Sequence, residues 1–126
     1  MPRPPLNSKT GYKFTRAYER RWLRKDGALV TVWLLRFRGA ENAAYYVRDI
    51  VDLSAQGDVR QRAVAGIPGG RSIVSTAPVN GPDSAYVALS AASAGDVAVF
   101  VTVAGDQQTA VAELTESLLV SEYALL

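Results

Sequence analysis

The stretch GDVAVFVTVAGDQQTAVAELTESLLVSEYALL, residues 95–126, indicates how this chain folds. Its first part is a run of β-branched and small residues with no charge inside, which is typical of a strand covered on both faces. A Gly105-Asp106 break follows, and Asp106 has the side chain and the charge of a helix N-cap. We therefore predict a central strand over residues 96–104 that leads into a closing helix.

The predicted closing helix has an apolar face. Residues with this spacing pack one side of a helix onto a sheet. Leu119 widens the face, whereas Glu113, Glu116 and Glu122 are expected to point toward solvent. The predicted face consists of Ala110, Val111, Leu114, Leu118 and Ser121.

An earlier strand and helix precede this unit. Residues 12–24 and 28–38 are predicted strands, and Lys25-Asp26-Gly27 between them is a hairpin signal because Asp-Gly tolerates positive φ. Over residues 39–57 the apolar period changes to three and four, which predicts an amphipathic helix. Asp49 and Asp52 are expected on the solvent side of that helix.

From residue 58 the apolar residues again recur at every second position, the spacing of a strand. Three more strands are predicted over residues 59–65, 71–77 and 84–92, before the central strand. The order is therefore β-β-α-β-β-β-β-α, an α+β fold with a mostly antiparallel sheet of about six strands and two helices. We expect one domain over residues 12–126 after a flexible, Pro-rich segment at residues 1–11.

Composition excludes several kinds of chemistry. The chain has no cysteine and no histidine, so disulfides, thiolate catalysis, cysteine-ligated metals and Ser-His triads are absent. No apolar run is long enough for a transmembrane helix, and residues 1–11 lack the apolar core of a signal peptide. Either the protein is cytoplasmic, or the chain begins after an export signal and the protein belongs to the cell envelope.

Charge is unevenly distributed along the chain. Residues 1–38 carry ten basic and two acidic side chains, whereas the rest carries four basic and ten acidic ones. The candidate contact surface is Arg20, Arg21, Arg24 and Lys25, near Tyr18 and Trp22, which could bind an anionic polymer. The favoured alternative is that these charges solvate strand faces. Nucleic acid is not favoured, because RRM, KH and cold-shock signatures are missing.

Two other motifs have some features of binding sites. The loop Gly66-Ile67-Pro68-Gly69-Gly70-Arg71 could approach a phosphate, but it lacks the Lys-Ser/Thr of a Walker loop and no helical pattern follows it. Asp49 and Asp52 have the spacing for a hard cation, although a solvated helix flank explains them better. We therefore predict no catalytic residue, no cofactor and no metal.

The C-terminal half resembles a known group of proteins. The segments VAGIPGGRS, AYVALSAASAGDVAVFVTVAG and EYALL, with RRWLRKDGALVTVWLLRFRGAENAAYYV upstream, resemble an actinobacterial group of secreted or lipid-anchored proteins similar to the PsbP/Mog1-like superfamily. The resemblance covers about residues 12–126 and implies an α/β/α sandwich around an antiparallel sheet. It also implies a non-catalytic adaptor or envelope protein, with no site residue that can be transferred.

Three functions follow as expectations. The first is a non-enzymatic binding or scaffold domain of the bacterial cell envelope, with a protein or an envelope component as partner. The second is a small-ligand or lipid carrier with an apolar cavity near Trp22 and Trp33. The third is an anionic-polymer or nucleic-acid binder that uses the basic N-terminal hairpin.

Overall fold

A computed structural model describes residues 14–79 and 85–126. The predicted segment 1–11 and the loop from Asn80 to Asp83 lie outside the described residues. The elements, in chain order, are β1 (Phe14–Leu23), β2 (Leu29–Phe37), α1 (Ala40–Ser54), β3 (Val59–Ala63), β4 (Arg71–Ser75), β5 (Tyr86–Ala94), β6 (Val97–Gly105) and α2 (Gln108–Ala124).

The six strands form one antiparallel sheet in the order β1-β2-β6-β5-β4-β3. The chain leaves β2, crosses the sheet as α1, and returns strand by strand from the far edge until β6 pairs with β2. The predicted α+β class and the order β-β-α-β-β-β-β-α are confirmed. β1 and β3 are the edge strands, and β6 lies inside the sheet as predicted.

The helices cover opposite faces of the sheet. On β6, Val99, Val101 and Val103 are fully buried in the core beneath α2, and this side is called the α2 face. Ala98 and Phe100 point the other way into the core beneath α1, which defines the α1 face. Burial on both faces explains the absence of polar alternation in this strand. The architecture is the expected α/β/α sandwich.

The apolar face of α2 is rotated from its predicted position. Its buried side chains are Val111, Thr115 and Leu119, at successive four-residue steps. Ala110 and Ser121 are exposed, so their predicted places in the stripe are wrong. The reason is Thr115, a polar residue that sequence periodicity counts as solvent-facing and that is fully buried here.

The predicted start of α2 is also corrected. Gln107, not Asp106, occupies the N-cap position, and no side chain caps the first turn. The strand β6 extends through Gly105, which delays the helix by one residue. An added Cβ at Gly105 would meet Val111 Cγ1 at 3.0 Å, so glycine allows the first turn of α2 to pack closely.

Helix α1 buries Ala43, Val47 and Val51 as the period predicts. Asp49, expected in solvent, is buried as well, with 9% of its surface exposed. Asp52 is exposed. The two carboxylates therefore lie in different environments, and the prediction of a shared solvated flank is wrong. Neither helix described by the structure is long and apolar enough to span a membrane.

The predicted hairpin turn between β1 and β2 is confirmed. Gly27 adopts φ +90, and its amide donates to the Arg24 carbonyl over 3.0 Å. Asp26 Oδ1 accepts a hydrogen bond from the Ala28 amide at 3.0 Å, which lowers the pKa of the Asp26 carboxyl. Arg24 Nε, 3.3 Å from Asp26 Oδ2, adds to that effect. The Asp-Gly pair thus sets the register of the hairpin.

Candidate functional site

The α1 face carries an apolar groove. Its volume is about 360 Å³, and it is open to solvent along one side. Three strands form its floor, and one flank of α1 forms its wall. The lining residues are Trp33 and Leu35 of β2, Phe100 and Thr102 of β6, Leu89 of β5, and Tyr46, Ile50 and Ser54 of α1.

The groove exists because α1 covers only part of its face. Tyr46, Ile50 and Ser54 recur every four residues, so they line one flank of the helix beside its buried stripe. On the floor, Trp33 of β2 pairs with Phe100 of β6, and Thr102 pairs with Leu89 of β5. Trp33, Leu89 and Thr102 are left partly exposed beside the helix, whereas Phe100 is buried at the base of the groove.

Aromatic contacts hold the end of the groove beside Tyr46. The rings of Tyr46 and Phe100 meet edge to face at 5.7 Å, and the Tyr46 ring lies 5.3 Å from that of Phe37. Such tilted pairs stabilise a packed cluster beyond the burial of their area. Burial raises the pKa of the Tyr46 phenol, so its hydroxyl stays protonated at neutral pH.

The chemistry of the lining is apolar with a few hydroxyls. The polar side-chain groups are the hydroxyls of Tyr46, Ser54 and Thr102 and the indole N–H of Trp33, and the lining contains no charged side chain. Walls of this kind bind neutral aromatic or aliphatic groups, with hydroxyls that orient a polar substituent.

An exposed apolar row extends from the groove toward the β1–β2 turn. Leu23, Leu29, Ala104 and Val87 occupy successive cross-strand positions on β1, β2, β6 and β5. Leu23 is 70% exposed, Leu29 40% and Val87 36%. Contiguous exposed apolar surface of this kind marks interaction sites on soluble domains.

The four basic residues predicted as a contact surface do not share one face. Arg20 lies on the α2 face, opposite Val32, and Arg21 lies on the α1 face, opposite Thr31. Arg20 Nη2 pairs with Glu122 Oε1 of α2 at 2.8 Å, and its guanidinium lies 4.9 Å from the centre of the Trp22 ring.

The other members of the basic set lie near acidic groups as well. Arg21 pairs with Glu19 at 3.5 Å, and Arg24 pairs with Asp26 at 3.3 Å. Lys25 is exposed in the turn, where no ion pair with a described residue holds it. Three of the four predicted contact residues therefore pair with carboxylates within the fold.

The glycine loop, residues 66–71, links β3 to β4. This agrees with its interpretation as a connection between strands. It turns tightly, with the Gly70 amide donating to the Ile67 carbonyl over 3.0 Å, and it buries Ile67 in the core of the α2 face. Arg71 Nη1 donates to the carbonyl of Gly70 at 3.3 Å. The glycines thus let the chain fold Ile67 back into the core.

Among residues 14–79 and 85–126 no cluster of three or more acidic side chains could hold a metal ion. The described part of the chain also leaves no buried side-chain nitrogen or oxygen without a hydrogen-bond partner. Neither observation points to a cofactor or metal held by these residues.

The apolar cavity was predicted near both Trp22 and Trp33, and the prediction is wrong for Trp22. Trp22 pairs with Val30 on the α2 face, whereas Trp33 lines the groove on the α1 face. The parity of the two strands around the hairpin could have revealed this, because residues 22 and 33 fall on opposite sides of the sheet in the register set by the Asp-Gly turn.

Comparison with known proteins gives a likeness in fold. No family model matches the chain, and no curated protein matches its sequence. The extracellular domain of PknH from Mycobacterium tuberculosis has a similar structure, with a TM-score of 0.65 and 16% sequence identity. The match covers 94% of this chain and 69% of that domain. At this sequence identity the likeness is one of fold.

Proposed function

We propose that this chain is a non-catalytic binding domain of the bacterial cell envelope, and that the groove on the α1 face binds a small neutral apolar molecule. The fold likeness to an extracellular domain supports the compartment. We also propose that the chain belongs with PsbP/Mog1-like proteins, a proposal that the two-helix sandwich with its antiparallel sheet supports.

The groove is the observation that carries the proposal. Its volume of about 360 Å³ lies within the range of small-molecule sites. Its floor offers the partly exposed ring of Trp33, and the lining carries no charge that would have to be desolvated. A neutral aromatic or short aliphatic ligand with a hydroxyl substituent fits this lining.

The titratable groups support a non-catalytic role. Tyr46 is the titratable side chain of the lining, and burial raises its pKa. General acid–base catalysis near neutral pH works best with a group whose pKa lies near 7. The groove offers groups for recognition, and its ring and hydroxyls are suited to orienting a ligand.

The two alternative functions have less support. A carrier that sequesters a lipid needs an enclosed cavity, and this groove is open along one side. An anionic-polymer binder needs available cations, and Arg20, Arg21 and Arg24 already pair with carboxylates. Surface pairs of this kind reduce the field that would attract a polyanion.

The proposal is tested with N-phenyl-1-naphthylamine, a neutral dye whose fluorescence rises in apolar surroundings. Protein is titrated into a fixed dye concentration, and we expect saturation with a dissociation constant of about 0.1 mM, the affinity of a ligand of this size with modest efficiency. In a Trp22→Phe variant, Trp33 is the remaining tryptophan. Its fluorescence should change as dye binds, and this change should give the same dissociation constant as the dye fluorescence.

Two α1 variants separate the groove from the rest of the surface. Ile50→Glu places a charge in the groove, and Leu53→Glu places the same charge on the exposed flank of the same helix. We expect dye binding to weaken about tenfold or more for Ile50→Glu and to persist for Leu53→Glu. Ser54→Lys, a milder change at the helix C-terminus, gives a second groove variant if Ile50→Glu unfolds. Saturable binding that both groove variants leave intact, or no binding, would overturn the proposal.

A further inference from the structure

The edge strand β1 has an unpaired side. It is ten residues long, FTRAYERRWL, and its outer edge contacts no other strand among the described residues. Tyr18 and Leu23 are 55% and 70% exposed. Long exposed edges with free amide and carbonyl groups attract further strands unless something blocks them.

Charged residues on an edge strand usually prevent another strand from pairing with it. On β1, however, the charged residues of one copy can lie opposite residues of the other sign on a second copy. When two identical edge strands pair antiparallel about a two-fold axis, the axis stands perpendicular to the sheet. Each side chain then lies opposite one from the same face of the other copy. One such register is centred on Arg20, and it pairs residue 19 with 21, 18 with 22, and 17 with 23.

On the α1 face this register produces alternating charges. Glu19 lies opposite Arg21 of the second copy, and Arg21 lies opposite Glu19 of the second copy. Glu19 and Arg21 already lie 3.5 Å apart within one chain, with 48% and 61% of their side chains exposed. The four side chains therefore form a square in which every neighbour has the opposite sign. Leu23, the most exposed residue of the strand, is covered by Ala17 of the second copy.

On the α2 face the register pairs aromatic rings. Tyr18 lies opposite Trp22 of the second copy, an aromatic cross-strand pair of the kind that stabilises sheets. Arg20 lies opposite its own equivalent at the centre. Each Arg20 brings the carboxylate of Glu122 at 2.8 Å, so the central guanidinium pair is neutralised.

The neighbouring registers lack this complementarity. A register centred on Glu19 places that carboxylate against itself, and one centred on Arg21 places Glu19 against Leu23. A register centred on Tyr18 twice opposes Arg16 and Arg20 within the strand, whereas the register centred on Arg20 opposes Arg16 to Arg24, which lies beyond the end of β1 and pairs with Asp26 at 3.3 Å. Like charges directly opposite one another destabilise a strand pair.

We propose that β1 pairs antiparallel with β1 of a second copy of this chain, in the register centred on Arg20, so that the two sheets become one of twelve strands. Edge pairing alone forms a small interface, so the dimer is reversible and depends on concentration. This interface leaves the groove beside α1 open, and its test is independent of ligand binding.

The first test is sedimentation velocity of the native chain across a concentration series. We expect the weight-average mass to rise from one chain to two between about 10 µM and about 1 mM, the range of weak specific association. A native chain that stays monomeric across the series would overturn the proposal.

A charge swap then tests the register. Glu19→Arg and Arg21→Glu each put like charges opposite one another twice, and each alone should raise the dissociation constant about tenfold or more. Both residues are exposed, so folding is not at risk, and circular dichroism checks this. A one-to-one mixture of the two variants restores both opposite-charge pairs and should dimerise like the native chain. The double variant should do the same.

The mixture distinguishes this register from any other association. If the single variants dimerise as tightly as the native chain, or if the mixture stays as weak as either variant alone, the register centred on Arg20 is wrong.

Discussion

The hydroxyl oxygens of Ser90 and Thr115 lie 2.9 Å apart in the buried layer between the sheet and α2. The Thr115 hydroxyl donates its one proton to the Val101 carbonyl at 2.9 Å, and the one proton of the Ser90 hydroxyl is within reach of both Thr115 Oγ1 and the Thr115 carbonyl, the latter at 2.8 Å. This network joins β5, β6 and α2. Because it is fully satisfied, it fixes the rotation of α2 on the sheet.

Thr115→Val should destabilise the fold by about 1–3 kcal/mol, because Val keeps the shape but leaves the buried Ser90 and Val101 groups without the hydroxyl. Urea unfolding followed by circular dichroism measures the change. Thr109→Val, at an exposed position of the same helix, is the matched control and should shift the midpoint little. Equal effects of the two variants would contradict the role given to the network.

The double variant Thr115→Val/Ser90→Ala probes the same contact. The contact between the two hydroxyls is already lost in each single variant and cannot be lost twice, so the combined loss should be smaller than the sum of the two single losses by about 0.5 kcal/mol or more. Additive losses in urea unfolding would show that the two hydroxyls act independently.

Arginines from both edge strands reach α2. Arg62 of β3 lies 2.7 Å from Glu116 and Arg20 of β1 lies 2.8 Å from Glu122, and the two glutamate side chains are only 17% and 14% exposed. The hydrogen bond to Glu116 raises the pKa of the Arg62 guanidinium. The helix is thus tied to both edges of the sheet.

Glu122→Gln should lower the free energy of unfolding by about 0.5–1 kcal/mol, because Arg20 is half exposed and the pair is partly screened. Thermal unfolding at low and high salt measures it, and the loss should shrink as salt rises. Glu113→Gln, an exposed position on α2, is the control. A loss that does not change with salt would point to packing instead of charge.

The hairpin turn predicts a pH effect. The pKa of Asp26 is lowered in the folded state, chiefly by the Ala28 amide, so the folded state favours the carboxylate. Its contribution is therefore present at neutral pH and is lost as pH falls below about 4, through the folded-state pKa.

Asp26→Asn should accordingly be less stable than the native chain at pH 7, and the difference should shrink as the pH falls below about 4. Urea midpoints measured for both proteins across this range supply the test. A difference that stays constant with pH would mean that the turn depends on shape and not on the charge of Asp26.

The sequence was sufficient to predict the element order. The β-branched run of β6, the Asp-Gly turn and the two changes of period each have a local physical cause, and each appears in the structure at its predicted place. Local signals suffice for such features because period and turn chemistry act within a few residues.

The rotation of α2 and the groove could not be predicted from the sequence, because both depend on contacts between residues far apart along the chain. Thr115 is polar, so a solvent-facing position is expected for it, and its burial is favourable because the Val101 carbonyl and the Ser90 hydroxyl lie within hydrogen-bond distance of its own hydroxyl. The residues of the groove come from four elements. Within its own segment, each of these residues has the pattern of an ordinary core residue, so the sequence gives no sign that they line a groove. The paired state of Arg20 depends on Glu122, which lies 102 positions further along the chain.

Backbone amide NMR of the labelled protein, titrated with an excess of 2-naphthol, shows where on the fold a neutral aromatic ligand binds. This soluble neutral aromatic carries the hydroxyl that the lining can orient. If the ligand binds in the groove, the amide chemical shifts around Ile50 and Ser54 of α1 and around Leu89 and Thr102 on the floor should change and saturate. Those of Val111 and Leu119 beneath α2 should change little. Shifts concentrated beneath α2, or no saturable shift at all, would contradict binding in the groove.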